Sequence, residues 1–385
     1  MQRRDFLKAG AAGMALTLAQ GSAQAQVEPR ADVKGADAKD TPEDLSVVVI
    51  GVDGSDLSPA YVDEYQRSGA DVWQYSGNVM DDSRFQKLND FVDSPSSKIT
   101  MAKSYSDILA AKRAGKVAMV VGCQDCMVFE RAAKGNDWSV NPPTTTLPHY
   151  YEKGLRIANL AYNLSNSLGG GCLDPTTPLN RESRFLIGQM QEIGILVDVS
   201  HSSEQTSLDI IGMARRPVVV SHSNCQTLND NPRNVSDRVI EGMAKTGGLI
   251  GVCPVDVFIT WSRKDAPYAE TGPFPPQATI SRYVDIIDYL RRLVGIDHIG
   301  IGTDFTVPSG STANFIPPPP SKSFLYPPEM GFNQPKGLRY VEGFDRVGGL
   351  PNVRAELERR GYTPEEMAKI LGGNWMRVFR EAWNA

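Results

Sequence analysis

Ile195-Leu-Val-Asp-Val-Ser-His201 is a short apolar run that ends in polar residues, and Pro217-Val-Val-Val-Ser-His-Ser223 has the same arrangement. The two histidines, His201 and His222, lie 21 residues apart, which suits one strand-helix repeat. Runs that are apolar throughout are typical of strands buried on both faces of a parallel sheet. The two stretches therefore predict adjacent parallel strands whose carboxyl ends carry histidines.

Eight such runs occur along the chain, each separated from the next by enough sequence for a crossover. They are Val47–Val52, Ala70–Tyr75, Val117–Gly122, Leu155–Leu160, Ile195–Val199, Pro217–Val220, Leu249–Val252 and His298–Gly302. Helical patterns lie between them and mostly end at or near glycine, at Tyr105–Ala114, Phe185–Ile193, Glu204–Ala214, Val239–Lys245 and Ile280–Val294. Eight strands with crossovers predict a (β/α)8 TIM barrel, and 385 residues suit that fold with insertions. Two Rossmann-like halves are the alternative, but no Gly-x-Gly-x-x-Gly motif follows any of the runs.

The first 25 residues predict an export signal of the twin-arginine type. It opens with Arg3 and Arg4, continues with a short apolar run and ends in the small-residue pattern Ala-Gln-Ala. The apolar run is too short to span a bilayer, so we expect no stable membrane span once the signal is removed. Residues 26–44 predict a flexible leader, and residues 45–385 a single barrel domain. The signal predicts a periplasmic or secreted protein.

The net charge and the cysteines indicate which partners and which redox chemistry to expect. The net charge is −5, from 40 basic and 45 acidic residues, and no basic stripe occurs, so nucleic acid is not an expected partner. The five cysteines are Cys123, Cys126, Cys172, Cys225 and Cys253, an odd number that permits at most two disulfides. Cys123 and Cys126 have redox spacing but follow a predicted strand, which favours a buried or disulfide role over redox catalysis.

The segment after the last predicted strand, Val307–Pro335, includes four consecutive prolines and predicts a long, stiff loop on the rim of the barrel. Helical patterns return at Pro364–Leu371 and Asn374–Trp383.

Polar residues at the ends of the predicted strands indicate the function, because catalytic groups of such barrels sit where strands end. His201 and His222 occupy matched positions, and Asp304 ends the eighth run. Two imidazoles and a carboxylate suit zinc, with the carboxylate able to bind the metal or to take a proton from its water. A hydrogen-bonded structural role is the alternative for any single histidine. His298 precedes its strand and His149 precedes a helical segment, which favours a structural and a surface role respectively.

Several motifs together resemble the membrane (renal) dipeptidases, peptidase family M19. They are Ile195-Leu-Val-Asp-Val-Ser-His201, Pro217-Val-Val-Val-Ser-His-Ser-Asn224, Asn231-Pro-Arg-Asn234, Asp237, Gly247-Gly-Leu-Ile-Gly251, Val294-Gly-Ile-Asp-His-Ile-Gly-Ile-Gly-Thr-Asp-Phe305 and Leu371-Gly-Gly-Asn374. The resemblance extends from about residue 47 to the C-terminus. It implies a zinc-dependent barrel that hydrolyses dipeptides, with two metals bridged by a carboxylate and a hydroxide, and it suggests a homodimer.

The resemblance also implies roles for individual residues. His201 and His222 would be ligands of one metal, and Asp304 would orient or deprotonate the attacking water. Arg233 would bind the carboxylate of the substrate through its two-pronged guanidinium group. The alternative for Arg233 is an ion pair with Asp230 or Asp237 on the same loop.

The sequence departs from the family pattern at three places. The family's first strand ends in His-x-Asp, whereas here Asp56 aligns with the Asp and Gly54 takes the histidine position. Gln124 replaces the bridging Glu, and a neutral amide is a poor bridge between two dications. These changes predict a single zinc held by His201 and His222, with Gln124 or Asp304 completing its ligands, and leave a second zinc doubtful. For Asp56, and for nearby Asp53, a turn-capping role is at least as well supported as metal binding.

The third departure concerns substrate binding. Tyr162, followed by Asn163, stands where the family has a substrate-binding histidine. We expect both residues on the substrate side of the site, with the Tyr162 hydroxyl able to donate to a developing oxyanion. Simple packing is the alternative for Tyr162.

Three hypotheses follow. The first is an exported zinc-dependent dipeptidase-like hydrolase acting on dipeptides or similar small amides. The second is a metal-poor relative that performs other acid–base chemistry on a periplasmic small molecule or a maturing peptide. The third is a barrel that binds a ligand without turnover. The retained Arg233 and Asp304 favour the enzymes over the binding protein.

Overall fold

The computed structural model of the protein describes residues 41–77, 81–124, 147–268, 272–308, 324–332 and 339–383, and within them nine parallel strands form one closed sheet. In chain order they are β1 (Val49–Asp53), β2 (Val72–Gly77), β3 (Ile99–Met101), β4 (Val117–Cys123), β5 (Leu155–Ala158), β6 (Leu196–Asp198), β7 (Val218–Ser223), β8 (Ile250–Val252) and β9 (Ile299–Phe305). The pairing of β2 with β4 closes a ring of eight strands and leaves β3 alongside the start of β4. The predicted (β/α)8 TIM barrel is confirmed, since each of the eight apolar runs overlaps one strand of the ring. Sequence patterns miss β3 because its residues, Ile-Thr-Met, are not apolar throughout and only Ile99 is fully buried.

Helices lie between the strands and after the last one. In the described residues they are α1 (Pro42–Ser46), α2 (Pro59–Ser68), α3 (Asp82–Val92), α4 (Tyr105–Arg113), α5 (Leu147–Lys153), α6 (Arg181–Ile193), α7 (Glu204–Met213), α8 (Asp237–Lys245), α9 (Val257–Thr260), α10 (Ile280–Leu293), α11 (Leu350–Arg359), α12 (Pro364–Ala368) and α13 (Asn374–Ala382). Most begin after a Ser, Thr, Asn or Asp whose side chain accepts a hydrogen bond from the first turn, as Ser203 does for α7 and Ser236 for α8. Gly69 and Gly194 end α2 and α6 in the left-handed conformation that favours glycine.

The C-terminal helix α13 fills the amino-terminal end of the barrel. The indole of Trp375 donates a hydrogen bond to the carbonyl oxygen of Ile301 at 3.0 Å, and the ring is fully buried. A Cβ atom at Gly51 or at Gly300 would lie 2.7 Å from this indole, so β1 and β9 need glycine there. Since Trp375 occupies this end, the carboxyl ends of the strands are left for the functional site.

Strands β7, β8 and β9 approach one another closely around the backbone of Ser221. A Cβ atom at Gly302 would lie 1.9 Å from the Ser221 carbonyl oxygen, and one at Gly251 would lie 2.1 Å from it. Only glycine permits such an approach. The approach sets β7, which carries His222, against β9, which carries Asp304.

Some sequence predictions fall outside the described residues. The export signal, residues 1–25, lies there, as do Cys126, the four consecutive prolines and most of the leader. Residues 42–44, the last of the predicted leader, belong to α1. The described part of the rim loop includes a 3-10 turn at Pro328–Met330.

The described cysteines and helices add two findings. Cys172, Cys225 and Cys253 are buried free thiols, Cys123 is buried as well, and none of these four forms a disulfide with another of them. No helix among the described residues is both long and apolar enough to cross a membrane.

Candidate functional site

The carboxyl ends of the strands carry the predicted site residues. Gln124 follows β4, His201 lies three residues after β6, and His222 and Asp304 belong to β7 and β9. Parallel strands of a closed barrel all end at the same rim, so residues distant in sequence converge there.

Several residues on this rim have a strained backbone conformation with a positive φ angle. Asn163, His201 and Asp304 have φ angles of 59°, 65° and 53°, and among the described non-glycine residues only Val52 also has a positive φ, of 46°. Each such conformation costs about 1–3 kcal/mol and persists where the surrounding structure enforces it, as at binding and catalytic sites. Three of the four strained positions are residues that the sequence assigned to the site.

The imidazoles of His201 and His222 face each other. Their Nε2 atoms are 2.9 Å apart, and both side chains are buried. Burial, followed by the positive charge of Arg233, holds the pKa of each histidine well below its ordinary value. Both rings are therefore neutral near pH 7, and a neutral imidazole is the form that binds metals.

Hydrogen bonds assign the proton of His201. The Asn163 amide donates from Nδ2 to the carbonyl oxygen of Leu325 at 2.9 Å, which directs its Oδ1 toward His201 Nδ1 at 2.7 Å. Because an amide oxygen only accepts, the proton of His201 is on Nδ1 and the lone pair is on Nε2.

A second network holds His222. Its Nδ1 lies 2.8 Å from the Ser221 hydroxyl, which donates to the Asp198 carboxylate at 2.5 Å. Asp198 also accepts from the backbone N–H groups of Ser200 and Ser221. Since the Ser221 proton is given to Asp198, His222 donates from Nδ1 and its Nε2 lone pair also faces the site. Neither Asp198 nor Ser221 was predicted as a supporting residue, although both lie within the two strand-end motifs.

Arg233 lies beside the histidine pair, fully buried. Its Nη2 atom donates to His201 Nε2 at 3.1 Å and to the carbonyl oxygen of His222 at 3.3 Å, and its guanidinium lies 5.1 Å from the centre of the Phe258 ring. Its Nη1 atom is buried and has no hydrogen-bond partner among the described residues. A buried cation with unused donors is a binding position for an anion.

The alternative partners of Arg233 are engaged elsewhere. Asp230 forms an ion pair with Arg263, and Asp237 accepts hydrogen bonds from Thr227 and Tyr289. The described contacts of Arg233 include neither aspartate, so the loop ion pair is not formed.

Asp304 has an unusual affinity for protons. Burial raises its pKa to about 6, although the charge of Arg233 and a hydrogen bond with Gln124 act in the opposite direction. A carboxylate with a pKa near neutrality is suited to take up and release a proton during a reaction. Gln124 is thus placed against Asp304, and its own side chain is buried.

Tyr162 lines the same site. Its ring stacks on that of His201, with centroids 4.1 Å apart, and its hydroxyl is 2.8 Å from the hydroxyl of Tyr326. Tyr326 was not predicted as a site residue, because an aromatic residue in a proline-rich loop carries no distinguishing signal. The segment 324–332 that bears it is anchored through its carbonyl groups by Asn163, Trp261 and Asn231.

The aspartates after β1 lie in different surroundings. Asp56 is exposed, and its backbone N–H donates to Val307. Asp53 is buried and accepts hydrogen bonds from the hydroxyls of Tyr61 and Tyr65 and from the backbone of Ser55, the turn-capping role that was its alternative.

The two remaining histidines lie away from the site. His149 is on the surface, where it pairs with Asp82 at 2.8 Å. His298 Nδ1 lies 2.7 Å from the carbonyl oxygen of Gly248, next to the beginning of β9. The surface and structural roles expected for them are confirmed.

Comparison with protein families decides the affiliation. The sequence profile of the membrane dipeptidases, peptidase family M19, matches residues 16–313 and 334–385. The chain belongs to peptidase family M19.

Individual dipeptidases and a solved structure are consistent with this affiliation. Dipeptidase tcpJ of Claviceps purpurea is 28% identical over 291 residues, which cover 74% of this chain and 56% of that protein. Dipeptidase ataJ of Aspergillus terreus is 28% identical over 303 residues, 73% of this chain and 62% of that protein. The chain thus spans little more than half the length of these relatives. An amidohydrolase from Pseudomonas aeruginosa has the same fold, with a TM-score of 0.73, 25% identity, and coverage of 89% of this chain and 98% of its own.

M19 is a family of metallopeptidases, which raises the question whether the residues of this site could bind a metal ion. No group of three or more His, Cys, Asp or Glu side chains in the described ranges is placed to hold a metal. The described residues therefore do not by themselves fit a pair of metal ions. The two converging Nε2 lone pairs of His201 and His222 do fit one divalent cation, with its other ligands supplied by oxygen atoms.

Proposed function

We propose that this protein is an exported dipeptidase-like hydrolase that cleaves the amide bond of a dipeptide or a similar small substrate with a free carboxylate, using one zinc ion. The observation that carries the proposal is the buried Arg233 guanidinium beside the histidine pair, whose Nη1 has no partner in the described part of the chain. A substrate carboxylate would satisfy these donors and would place the neighbouring amide bond near the imidazoles.

His201 and His222 would hold the zinc ion. When bound, such an ion polarises a carbonyl group and lowers the pKa of water. The hydrogen bonds of Asn163 and Ser221 support this role, because they keep both Nε2 lone pairs directed into the site.

Asp304 would move the proton. With a pKa near 6 it is ionised at neutral pH and can accept a proton from the attacking water, then return it to the leaving amine. Its hydrogen bond with Gln124 holds the carboxyl group in place. The stacked Tyr162 would provide a hydroxyl near the scissile carbonyl, supported from the rim by Tyr326.

The second candidate is a metal-poor relative that uses Asp304 and Arg233 for other acid–base chemistry. The neutral Gln124 favours it, because this residue cannot supply the negative charge of a bridging ligand.

Zinc content and a panel of dipeptides test the proposal. We expect about one zinc ion per folded chain by elemental analysis, and hydrolysis that a chelator abolishes and zinc restores. His201→Ala and His222→Ala should lose both. His149→Ala is the matched control, because His149 is exposed and pairs with Asp82.

Two results would count against the proposal. Absence of bound metal together with absence of hydrolysis at every zinc concentration would reject the dipeptidase, and turnover of another substrate would then support the second candidate. Unchanged zinc content in His201→Ala would show that the ligand assignment is wrong. Cell fractionation of the full chain and of a variant with Arg3 and Arg4 replaced by Lys tests export separately.

A further inference from the structure

The starting observation is that His201 Nε2 already has a donor. His201 carries its proton on Nδ1, so Nε2 offers a single lone pair. Arg233 donates to that lone pair from Nη2 at 3.1 Å. An arginine remains protonated at any pH at which the protein functions, so this donor cannot be removed by titration. The same lone pair would be needed to bind a divalent cation.

We infer that Arg233 couples two binding events in this site: it competes with a divalent cation for His201, and a substrate carboxylate relieves that competition. The inference rests on the proposed function and adds a property that the proposal does not require. Carboxylate and cation should therefore each strengthen the binding of the other.

The geometry of the guanidinium supplies the reason. A carboxylate prefers two parallel N–H donors of one arginine. Nη1 is free to donate, whereas Nη2 is shared between His201 Nε2 and the carbonyl oxygen of His222. A carboxylate that takes both nitrogens draws Nη2 from His201, and it also neutralises a buried positive charge next to the cation position.

Thermodynamics requires the effects of the two ligands on each other's affinity to be equal. If a carboxylate raises the affinity for zinc by some factor, zinc must raise the affinity for the carboxylate by the same factor. A site of this kind stays weakly loaded with metal until substrate arrives.

Zinc titration by calorimetry tests the coupling without measuring turnover. The full chain is titrated alone, with saturating N-acetylglycine, and with the uncharged N-acetylglycinamide. We expect N-acetylglycine to raise zinc affinity at least fivefold and the amide to leave it unchanged. Arg233→Met should bind zinc at least tenfold more tightly than wild type, about 1.4 kcal/mol, and should not respond to N-acetylglycine.

Arg238→Met is the matched control, because this exposed arginine pairs with Glu204 on the outer face and its loss changes the net charge equally. It should behave as wild type. If Arg233→Met does not fold, the zinc titrations of wild type with and without N-acetylglycine still test the coupling.

The outcomes separate the inference from the proposed function. Zinc binding that is equal in wild type and Arg233→Met, or that N-acetylglycine does not affect in wild type, overturns the coupling and leaves the dipeptidase proposal standing. No zinc binding by any variant, with or without N-acetylglycine, overturns both the coupling and the zinc-dependent function.

Discussion

Replacement of Asp304 by asparagine should stabilise the folded protein at neutral pH while it greatly slows hydrolysis. Burial raises the pKa of this carboxyl group from 3.8 to about 6, so the folded state binds the proton more tightly than the unfolded chain does. Each tenfold change in proton affinity corresponds to about 1.4 kcal/mol, so binding of the proton by Asp304 contributes about 3 kcal/mol to the free energy of unfolding. This contribution to stability is fully present below about pH 3.8 and is lost as the pH rises through about 6.

Asparagine does not ionise, so Asp304→Asn should lack this loss. The free energy of unfolding of the variant relative to wild type should rise by about 3 kcal/mol from low pH to neutral pH, with about half of the change between about pH 5 and pH 7.5. Urea denaturation across that range, with a chelator present so that no cation contributes, measures the difference. Hydrolysis should fall by about 10²–10⁴-fold, because the proton acceptor is lost.

The control for this experiment is Asp90→Asn, which removes an exposed carboxylate on α3 and should leave the pH dependence unchanged. Parallel stability curves for wild type and Asp304→Asn would refute the argument. They would mean that Asp304 titrates normally in the folded protein, and that it is not the proton acceptor we infer.

Three further predictions concern neighbouring residues. Tyr326→Phe removes the hydrogen-bond partner of the Tyr162 hydroxyl, and the loss of that hydrogen bond should cost about 1 kcal/mol. We expect kcat/KM to fall about fivefold while the circular dichroism spectrum stays unchanged. An unchanged kcat/KM would show that this pair of tyrosines takes no part in the reaction. Arg233→Lys keeps the charge but loses the two-pronged geometry, and we expect N-acetylglycine to bind at least tenfold more weakly by calorimetry, whereas equal affinity would exclude bidentate binding. Gly302→Ala places a methyl group against the carbonyl oxygen of Ser221, and thermal unfolding should show a loss of more than about 2 kcal/mol; a stable variant would contradict the close approach of β9 to β7.

Local patterns in the sequence were sufficient for the barrel. Runs such as Leu249–Val252 are apolar at every position because both faces of a parallel strand are buried. Such a run can be recognised from a few consecutive residues. Each run is separated from the next by enough chain for a helical crossover, which limits the topology to a ring of parallel strands. Strand β3 was not predicted because it contains a threonine and is only partly buried, so it lacks the continuous apolar character of the other strands.

The candidate site was predictable only in part. His201, His222 and Asp304 could be found because each directly ends or follows a strand, and the barrel topology alone places such residues on one rim. Tyr326 could not be found, since it reaches Tyr162 through a loop whose path depends on contacts with distant parts of the chain.

The sequence by itself determined the fold, the family resemblance and the residue types at the strand ends, because these are set by local periodicity and by the order of elements along the chain. Only the tertiary structure decided which donors and acceptors meet: the hydrogen bond from Arg233 to His201, the unpartnered Nη1 atom and the raised pKa of Asp304. These features arise from burial and from distances of about 3 Å between groups that are tens of residues apart in sequence. Burial removes the solvent that would otherwise satisfy each charge, so its partners become decisive.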